Sequence, residues 1–487
     1  MLLSKGLNNS TSIYGLALLA ERLLGFALLP VLVKSISPTE YGIWVQSIVV
    51  TGVMTPIVLL GFQTALVKFF PLWETTLRLR DSVLLAMFSQ IFVSLFVVSA
   101  IVVALSGSIA NLVFGQVAHL VFVPLLAGLL VSEVLFEFLV SILRATGRIS
   151  LVALYIFLKG LWRIGVLLLV LYGMNGDFYK AFLSFVFVQL LFVALMYAKD
   201  VPVTRILSSG LATGRAHWGV VLSFSLPLVA LSAMTGLNSF TDRFFVSHFY
   251  VLGETAVYAA TYSLAAVVAF FYSVLGFTLF PALTEHWGQG RRNEAAVLFG
   301  RAVLVYIFFL FPFISGMAVS GQDILTMLTT AEYKAPPTLG LLLACNIGLF
   351  GLYQIAFYVV LLERGSVRGL GLMGLTAGVN LLLNALLVPA LGLTGAALSG
   401  FASNALLAMI TLRMASQILD WQFPWAGSLR IALRAGIMAF FIWSTASLLG
   451  VGHSFGLLAV LFVAALFYVA LDFLDRKTSL FILVKNS

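Results

Sequence analysis

The chain has 487 residues, 62% of them hydrophobic and 9% charged, with a formal net charge of +9 and a mean hydropathy of +1.11. Soluble domains are about 45–50% apolar and about 25% charged, so too few polar side chains exist here to cover a water-soluble globule. Apolar stretches of roughly twenty residues recur along the whole chain, each long enough to cross a bilayer as a helix, and the chain reads as an all-α polytopic membrane protein.

Taken in chain order, about fourteen spans are predicted: 11–33, 41–67, 82–106, 117–141, 150–172, 178–198, 217–240, 254–280, 297–320, 337–362, 368–388, 393–415, 430–449 and 454–474. The first is too long for the apolar region of a signal peptide and lacks an A-x-A cleavage site. Turns such as "SPTEYG" and "LGET" separate neighbouring spans. The single cysteine, Cys345, rules out an intrachain disulfide framework. Its surroundings, "LLLACNIGLF", fit a small packing residue better than a redox site.

Lys and Arg orient the chain, because they accumulate in cytoplasmic connections. Lys5 precedes the first span. The second connection carries Lys68, Arg78 and Arg80, the fourth Arg144 and Arg148, and the sixth Lys199, Arg205 and Arg215. The eighth carries Arg291, Arg292 and Arg301, the tenth Arg364 and Arg368, and the twelfth Arg413, Arg430 and Arg434. Arg476, Lys477 and Lys485 lie in the tail. Odd-numbered connections such as "SGSIANLVFGQ" and "VPALGLTG" have no basic residue, and only Lys34, Lys180 and Lys334 lie near that side. The alternation predicts an even number of spans with both termini in the cytoplasm. It also accounts for most of the positive charge as a topology signal, reinforced by anionic lipid, with no need for nucleic acid.

An internal repeat is visible. "LLGFQTALVKFFP" (59–71) resembles "VLGFTLFPALTEHW" (274–287), and "ILRATGR" (142–148) resembles "LLERGSVR" (361–368). Glu21-Arg22 matches Asp242-Arg243 at an offset of 221, and Lys159 and Arg163 match Asn380 and Asn384 at the same offset. A parallel duplication predicts a six-helix lobe over 1–200, a second over 215–415, and two further helices over 428–476. Such repeats flank a central site in secondary transporters.

A charge at the bilayer centre costs about 2.5–3.5 kcal/mol, so charges placed there usually line a cavity or pair with one another. The deep ones are few: Glu21 and Arg22, Glu133 and Glu137, Lys159 and Arg163, and Asp242 and Arg243. Glu21 and Arg22 point about 100° apart on a helix, so each looks toward a different partner. Arg22 lies too deep to snorkel easily to either surface. Glu133 and Glu137 share one helical face, as do Lys159 and Arg163. Counting outward from the short loop at Thr146 puts Glu133 and Lys159 at similar depth. An acidic face opposed to a basic one either holds the lobe together or leaves the cations to attract an anion, with the glutamates tuning or gating them. Asn380 and Asn384 are either interhelical glue or cavity lining. "NSFTDRFFVSHFY", around Asp242 and Arg243, is polar enough for an interfacial position, and His248 and His119 read as interfacial as well. No His/Cys cluster with metal spacing, no P-loop and no Ser/His/Asp set occurs. Enzymatic chemistry and bound cofactors are therefore not expected. A proton or sodium gradient is the expected energy source, with Glu21, Glu133, Glu137, Asp242 or Arg243 as gating or ion-coupling groups. Pro30 and Gly25 could let the first span bend.

"LPVLVKSISPTEYGIWVQ", "LGFQTALVKFFP", "TDRFFVSHFYVLGETAVYAATYSLA" and "NLLLNALLVPALGLTGAALSG" resemble the polysaccharide transporter family. Its Wzx-type members flip O-antigen and exopolysaccharide repeat units and belong to the multidrug/oligosaccharidyl-lipid/polysaccharide exporter superfamily. The resemblance runs from about residue 4 to 475. It implies two six-helix lobes in a V shape with extra C-terminal helices. It also implies flipping of an undecaprenyl-diphosphate-linked oligosaccharide across a bacterial inner membrane, beside a polysaccharide polymerase. Arg22, Lys159 and Arg163 are the positions that fit the family's cationic cavity, with Asn380 and Asn384 as the polar counterpart; Glu21 beside Arg22 departs from the pattern. Competing readings are a multidrug cation exporter, which predicts an acidic cavity, a peptidoglycan lipid II flippase, and a membrane-embedded glycosyltransferase, for which the loops are too short and plain.

Overall fold

The computed structural model describes residues 9–73, 77–174, 176–210, 218–363, 366–449 and 455–474. Among them the chain is helical, with no strand. The helices are α1 (Asn9–Val33), α2 (Pro38–Val58), α3 (Phe62–Trp73), α4 (Leu77–Ala104), α5 (Ser106–Phe114), α6 (Val123–Ala145), α7 (Ile149–Leu168), α8 (Phe178–Asp200), α9 (Val203–Leu207) and α10 (Trp218–Phe249). They continue as α11 (Leu252–Ala265), α12 (Val268–Gly288), α13 (Arg292–Leu328), α14 (Leu339–Leu362), α15 (Ser366–Leu419), α16 (Trp425–Leu449) and α17 (Phe455–Leu474). A 3₁₀ segment, Val117–Phe122, leads into α6.

Twelve helices among the described residues are long and apolar enough to cross a membrane, and the chain is a multi-pass membrane protein. The predicted spans 368–388 and 393–415 form one continuous run, α15, interrupted where Gly392 adopts φ 59°, ψ −136°. Counting its two halves separately, together with α1, gives about fourteen. Two predicted spans are broken. The run 41–67 divides at Leu60 and Gly61, both with positive φ (49° and 69°). The run 254–280 divides into α11 and α12 at Ala266 and Val267. Each break lies inside an apolar stretch, where hydropathy carries no mark of it.

Local chemistry sets the helix starts. Ser37 caps α2: its Oγ accepts from the Glu40 N–H at 3.3 Å, and Glu40 Oε2 accepts from the Ser37 N–H at 2.8 Å. This is a reciprocal capping box, with Pro38 placed where its missing N–H costs nothing. Asp177 caps α8 by accepting from the Lys180 N–H at 2.8 Å. That hydrogen bond is the main cause holding its carboxyl below the usual aspartate range. Gly147 turns α6 into α7 with φ +73°.

The chain forms two compact units. One comprises Leu7–Phe240 with Ser247–Gly253. The other comprises Thr241–Val246 and the chain from Glu254 onward. The first unit packs aromatic rings at its centre, with Trp44 edge-on to Phe182 and Phe185 at 5.5 and 5.0 Å. In the second, Tyr468 on α17 donates to the Phe308 carbonyl at 2.9 Å. Arg434 and Asp472 form a buried ion pair between α16 and α17.

Candidate functional site

Each unit holds a buried polar cluster on helices that are otherwise apolar. In the first unit, α6 and α7 run antiparallel through the turn at Thr146–Gly147. Lys159 Nζ pairs with Glu133 Oε1. Glu133 Oε2 also accepts from Gln189 Nε2 on α8 at 2.7 Å. Lys159 lies 4.2 Å above the centre of the Phe136 ring, a second electrostatic contact for its ammonium. Its side chain is 8% exposed and that of Glu133 is 21%.

One turn along α7, the Arg163 guanidinium lies 5.4 Å from the Phe185 ring and 5.8 Å from Trp44. Its Nε is buried without a hydrogen-bond partner, as is Trp162 Nε1 beside it. Trp162 stacks on Phe185 at 5.4 Å. Lys159 is thus committed to a carboxylate, while Arg163 keeps a buried donor directed at no oxygen.

Helix α1 packs on α7 across Gly160. A Cβ there would lie 3.0 Å from Leu24 Cδ1 and 3.9 Å from Glu21 Cα. Glu21 is therefore held beside the α7 cations, and its charge acts on both Arg163 and Glu137. Glu137 also feels Lys159, Glu133 and Arg144. Arg22 lies on α1, but its side chain is outside the described residues.

The second unit repeats the juxtaposition with different chemistry. Asp242 on α10 is 3% exposed and Arg243 is 8% exposed. At whatever depth they lie, both side chains are enclosed by protein rather than solvated. Asp242 Oδ2 accepts from the Tyr258 hydroxyl on α11 at 2.7 Å. Its Oδ1 accepts from Asn384 Nδ2 at 2.9 Å and Asn380 Nδ2 at 3.3 Å, both on α15. Asn380 and Asn384 are fully buried, and their donors turn to Asp242 rather than to an open cavity. Asn384 Oδ1 has no hydrogen-bond partner. Arg243 lies 4.5 Å over the Tyr262 ring.

A second amide pair braces this cluster: Asn404 Nδ2 donates to Asn346 Oδ1 at 2.6 Å. Gly400 lies between the two groups, where a Cβ would sit 3.0 Å from Asp242 Oδ2. Gln189, Tyr258, Asn346 and Asn404 were not singled out from the sequence. Gln189 in "SFVFVQLLFVAL" and Asn346 in "LACNIGL" are lone amides in apolar runs, and that is the signal that could have found them. The second unit also contains an apolar cavity of about 400 Å³ lined by Phe308, Phe313, Met317, Ile442 and Tyr468, among others.

Solved structures share this fold. A lipid II flippase MurJ in an inward closed conformation superposes with a TM-score of 0.76 at 14% identity, over 94% of this chain and 97% of that one. An inward-facing MATE-family multidrug resistance transporter of the MOP superfamily gives 0.64 at 13% identity, over 86% and 96%. An outward-facing one gives 0.53 at 14% identity, over 85% and 97%. The chain has the fold of these membrane transporters. No protein-family model matches it, and no curated protein matches it in sequence.

Proposed function

We propose that this protein is a flippase that moves an undecaprenyl-diphosphate-linked oligosaccharide from the cytoplasmic to the outer leaflet of a bacterial inner membrane, for surface polysaccharide synthesis, by alternating access. The observation that carries this reading is the pair of cations on one face of α7 within a transporter fold, a buried Lys159 and a half-buried Arg163 whose buried Nε lacks a partner. A diphosphate crossing about 30 Å of hydrocarbon needs cations to replace its hydration. A guanidinium supplies that charge together with paired donors. No covalent step is involved.

We take the energy source to be a proton or sodium gradient and Asp242 to be the coupling group. Its donors from Tyr258, Asn380 and Asn384 are neutral. Arg243 beside Asp242 adds one attractive charge, and on this reading a proton or Na⁺ competes with that guanidinium for the carboxylate. The unpartnered Asn384 Oδ1 is a hard oxygen within the same cluster, of the kind that binds such a cation. The basic alternation supports cytoplasmic termini, and a polymerase is the expected downstream partner.

The cargo could instead be lipid II. The similarity to a lipid II flippase over nearly the full length of both chains favours that second reading. One experiment separates them. The gene is deleted, lipid-linked intermediates are assayed in each leaflet, and Lys159→Gln/Arg163→Gln is supplied in complementation. Viable cells that accumulate oligosaccharide units on the cytoplasmic face, unrescued by a variant that reaches the membrane, support the first reading. Loss of viability with lipid II accumulation supports the second. Normal distribution of both lipids refutes both.

A further inference from the structure

The second, fourth and sixth connections, all basic in sequence, meet at one end of the first unit. They line a cavity of about 720 Å³ whose walls include Arg80, Arg148, Lys199 and Arg205 together with Asp81 and Asp200. Four cations against two carboxylates leave a formal surplus of two positive charges. The carboxylates are buried, with side chains 4% and 8% exposed. Asp81 accepts from Arg205 Nε at 2.6 Å and from Arg80 Nε at 3.3 Å. Asp200 accepts from the Tyr155 hydroxyl and lies 3.7 Å from Arg148 Nη1. These contacts hold the guanidinium groups from behind. The Arg148 and Arg205 side chains remain 54% and 50% exposed, so donors are left facing outward.

A merely solvated basic face needs no such bracing, and it needs nothing apolar beside it. Here the wall formed by Ala198, Val203 and Ile206 is shared with a second cavity of about 600 Å³. That cavity runs between α4 and α8 and is lined by Leu85, Phe88, Phe92, Leu135, Tyr197 and Leu207, among others. Phe92 is 56% exposed and Leu207 65%. The groove extends along α4 from Leu85 to Phe92, roughly 10 Å at 1.5 Å per residue. A basic recess continuous with an apolar groove on a membrane-spanning unit has the two-part chemistry of a lipid.

We propose that this end of the first unit is a binding site for an anionic glycerophospholipid, with its phosphate in the basic recess and one acyl chain in the groove between α4 and α8. The surplus positive charge selects an anionic headgroup, because a choline headgroup brings its own cation into the recess. A free phosphate uses only half of the site. The site is separate from the Glu133–Lys159 cluster and does not depend on what the protein transports.

The test is native mass spectrometry of the purified, delipidated full-length protein, titrated with phosphatidylglycerol, phosphatidylcholine or glycerol 3-phosphate. The expected result is at least a tenfold preference for phosphatidylglycerol over phosphatidylcholine. The Arg148→Gln/Lys199→Gln variant should bind phosphatidylglycerol about thirtyfold more weakly, since each cation near anionic lipid contributes roughly fivefold. Its phosphatidylcholine binding should not change. Ala194→Trp, which fills the groove, should weaken both lipids. If the double variant does not purify as a single species, Lys199→Gln alone is read, with about a fivefold loss expected. Equal affinity for the two lipids, or undiminished phosphatidylglycerol binding by the charge variants, overturns the proposal. Competition by glycerol 3-phosphate at the same concentration as the lipid also overturns it, in favour of a small-anion pocket.

Discussion

The Glu133–Lys159 pair can be separated into a structural and a transport contribution by a double-mutant cycle. Breaking a buried ion pair from one side costs about 3–5 kcal/mol, because the partner charge is left desolvated. For Lys159→Met the lower end applies, about 3 kcal/mol, since Glu133 is 21% exposed and keeps its hydrogen bond from Gln189. For Glu133→Met the cost is about 2 kcal/mol, because the Lys159 ammonium retains the face of the Phe136 ring. Replacing both by Met leaves no unpaired charge, and the double variant should lose only about 2 kcal/mol in all. The interaction energy is then about 3 kcal/mol, at the upper end for residues in contact. Unfolding in mixed micelles, followed by tryptophan fluorescence, measures the cycle. On the proposed function, flipping of a lipid-linked oligosaccharide in proteoliposomes is the transport readout on the same samples. The double variant should be no less stable than either single variant but should not transport. Wild-type transport by the double variant would falsify the assignment of Lys159 to cargo. A Lys159→Met cost below about 0.5 kcal/mol would show that the pair is not desolvated.

Three further outcomes follow from the geometry. Asp242→Asn should leave the protein folded but make transport insensitive to proton and sodium gradients, as read in vesicles with each gradient collapsed in turn; wild-type transport that ignores both gradients removes the coupling proposal. Gly400→Ala should destabilise the second unit by about 1–3 kcal/mol through overpacking, because its Cβ would meet Asp242 Oδ2 at 3.0 Å; an unfolding midpoint equal to wild type counts against the packing described. Gly61→Ala should cost at least about 1 kcal/mol, since Gly61 has φ +69° and a Cβ there would lie 2.8 Å from the Ser225 carbonyl oxygen; the same unfolding assay checks it, and an unchanged midpoint shows that the break between α2 and α3 tolerates a side chain.

Much of the fold was legible because hydropathy and helix length carry it. The "SPTEYG" turn announced the start of α2 through residues that act locally, Ser37, Pro38 and Glu40. The breaks at Leu60–Gly61 and Ala266–Val267 were not legible, because they fall within apolar runs where hydropathy does not change. Glu133 and Lys159 could be placed at one depth by counting from Thr146, since a short loop fixes the register of an antiparallel helix pair, and their side chains meet in the structure. Nothing comparable links Asp242 to Asn380, 138 residues away on a helix that is not its neighbour in sequence. Polar composition alone therefore suggested a depth for Asp242 but not the protein partners that enclose it.

The 221-residue offset acquires a physical meaning from these contacts. In the first unit, the helix bearing Glu21 packs on the helix bearing Lys159 and Arg163, across Gly160. In the second, the helix bearing Asp242 meets the helix bearing Asn380 and Asn384. The same pair of positions therefore faces an acidic residue in both units, once as cations and once as neutral amides. A carboxylate opposite fixed cations has its charge answered by the protein, and on the proposed function the unpartnered Arg163 Nε is what is left for an anion. A carboxylate opposite amides is solvated by donors that carry no net charge, and the opposite charge acting on Asp242 is that of Arg243 beside it. On the proposed function, an exchangeable cation competes with Arg243 for that carboxylate. On the proposed function, the divergence at these two positions lets one ancestral arrangement serve two tasks: the first unit holds the anionic cargo, and the second senses the ion whose gradient moves it.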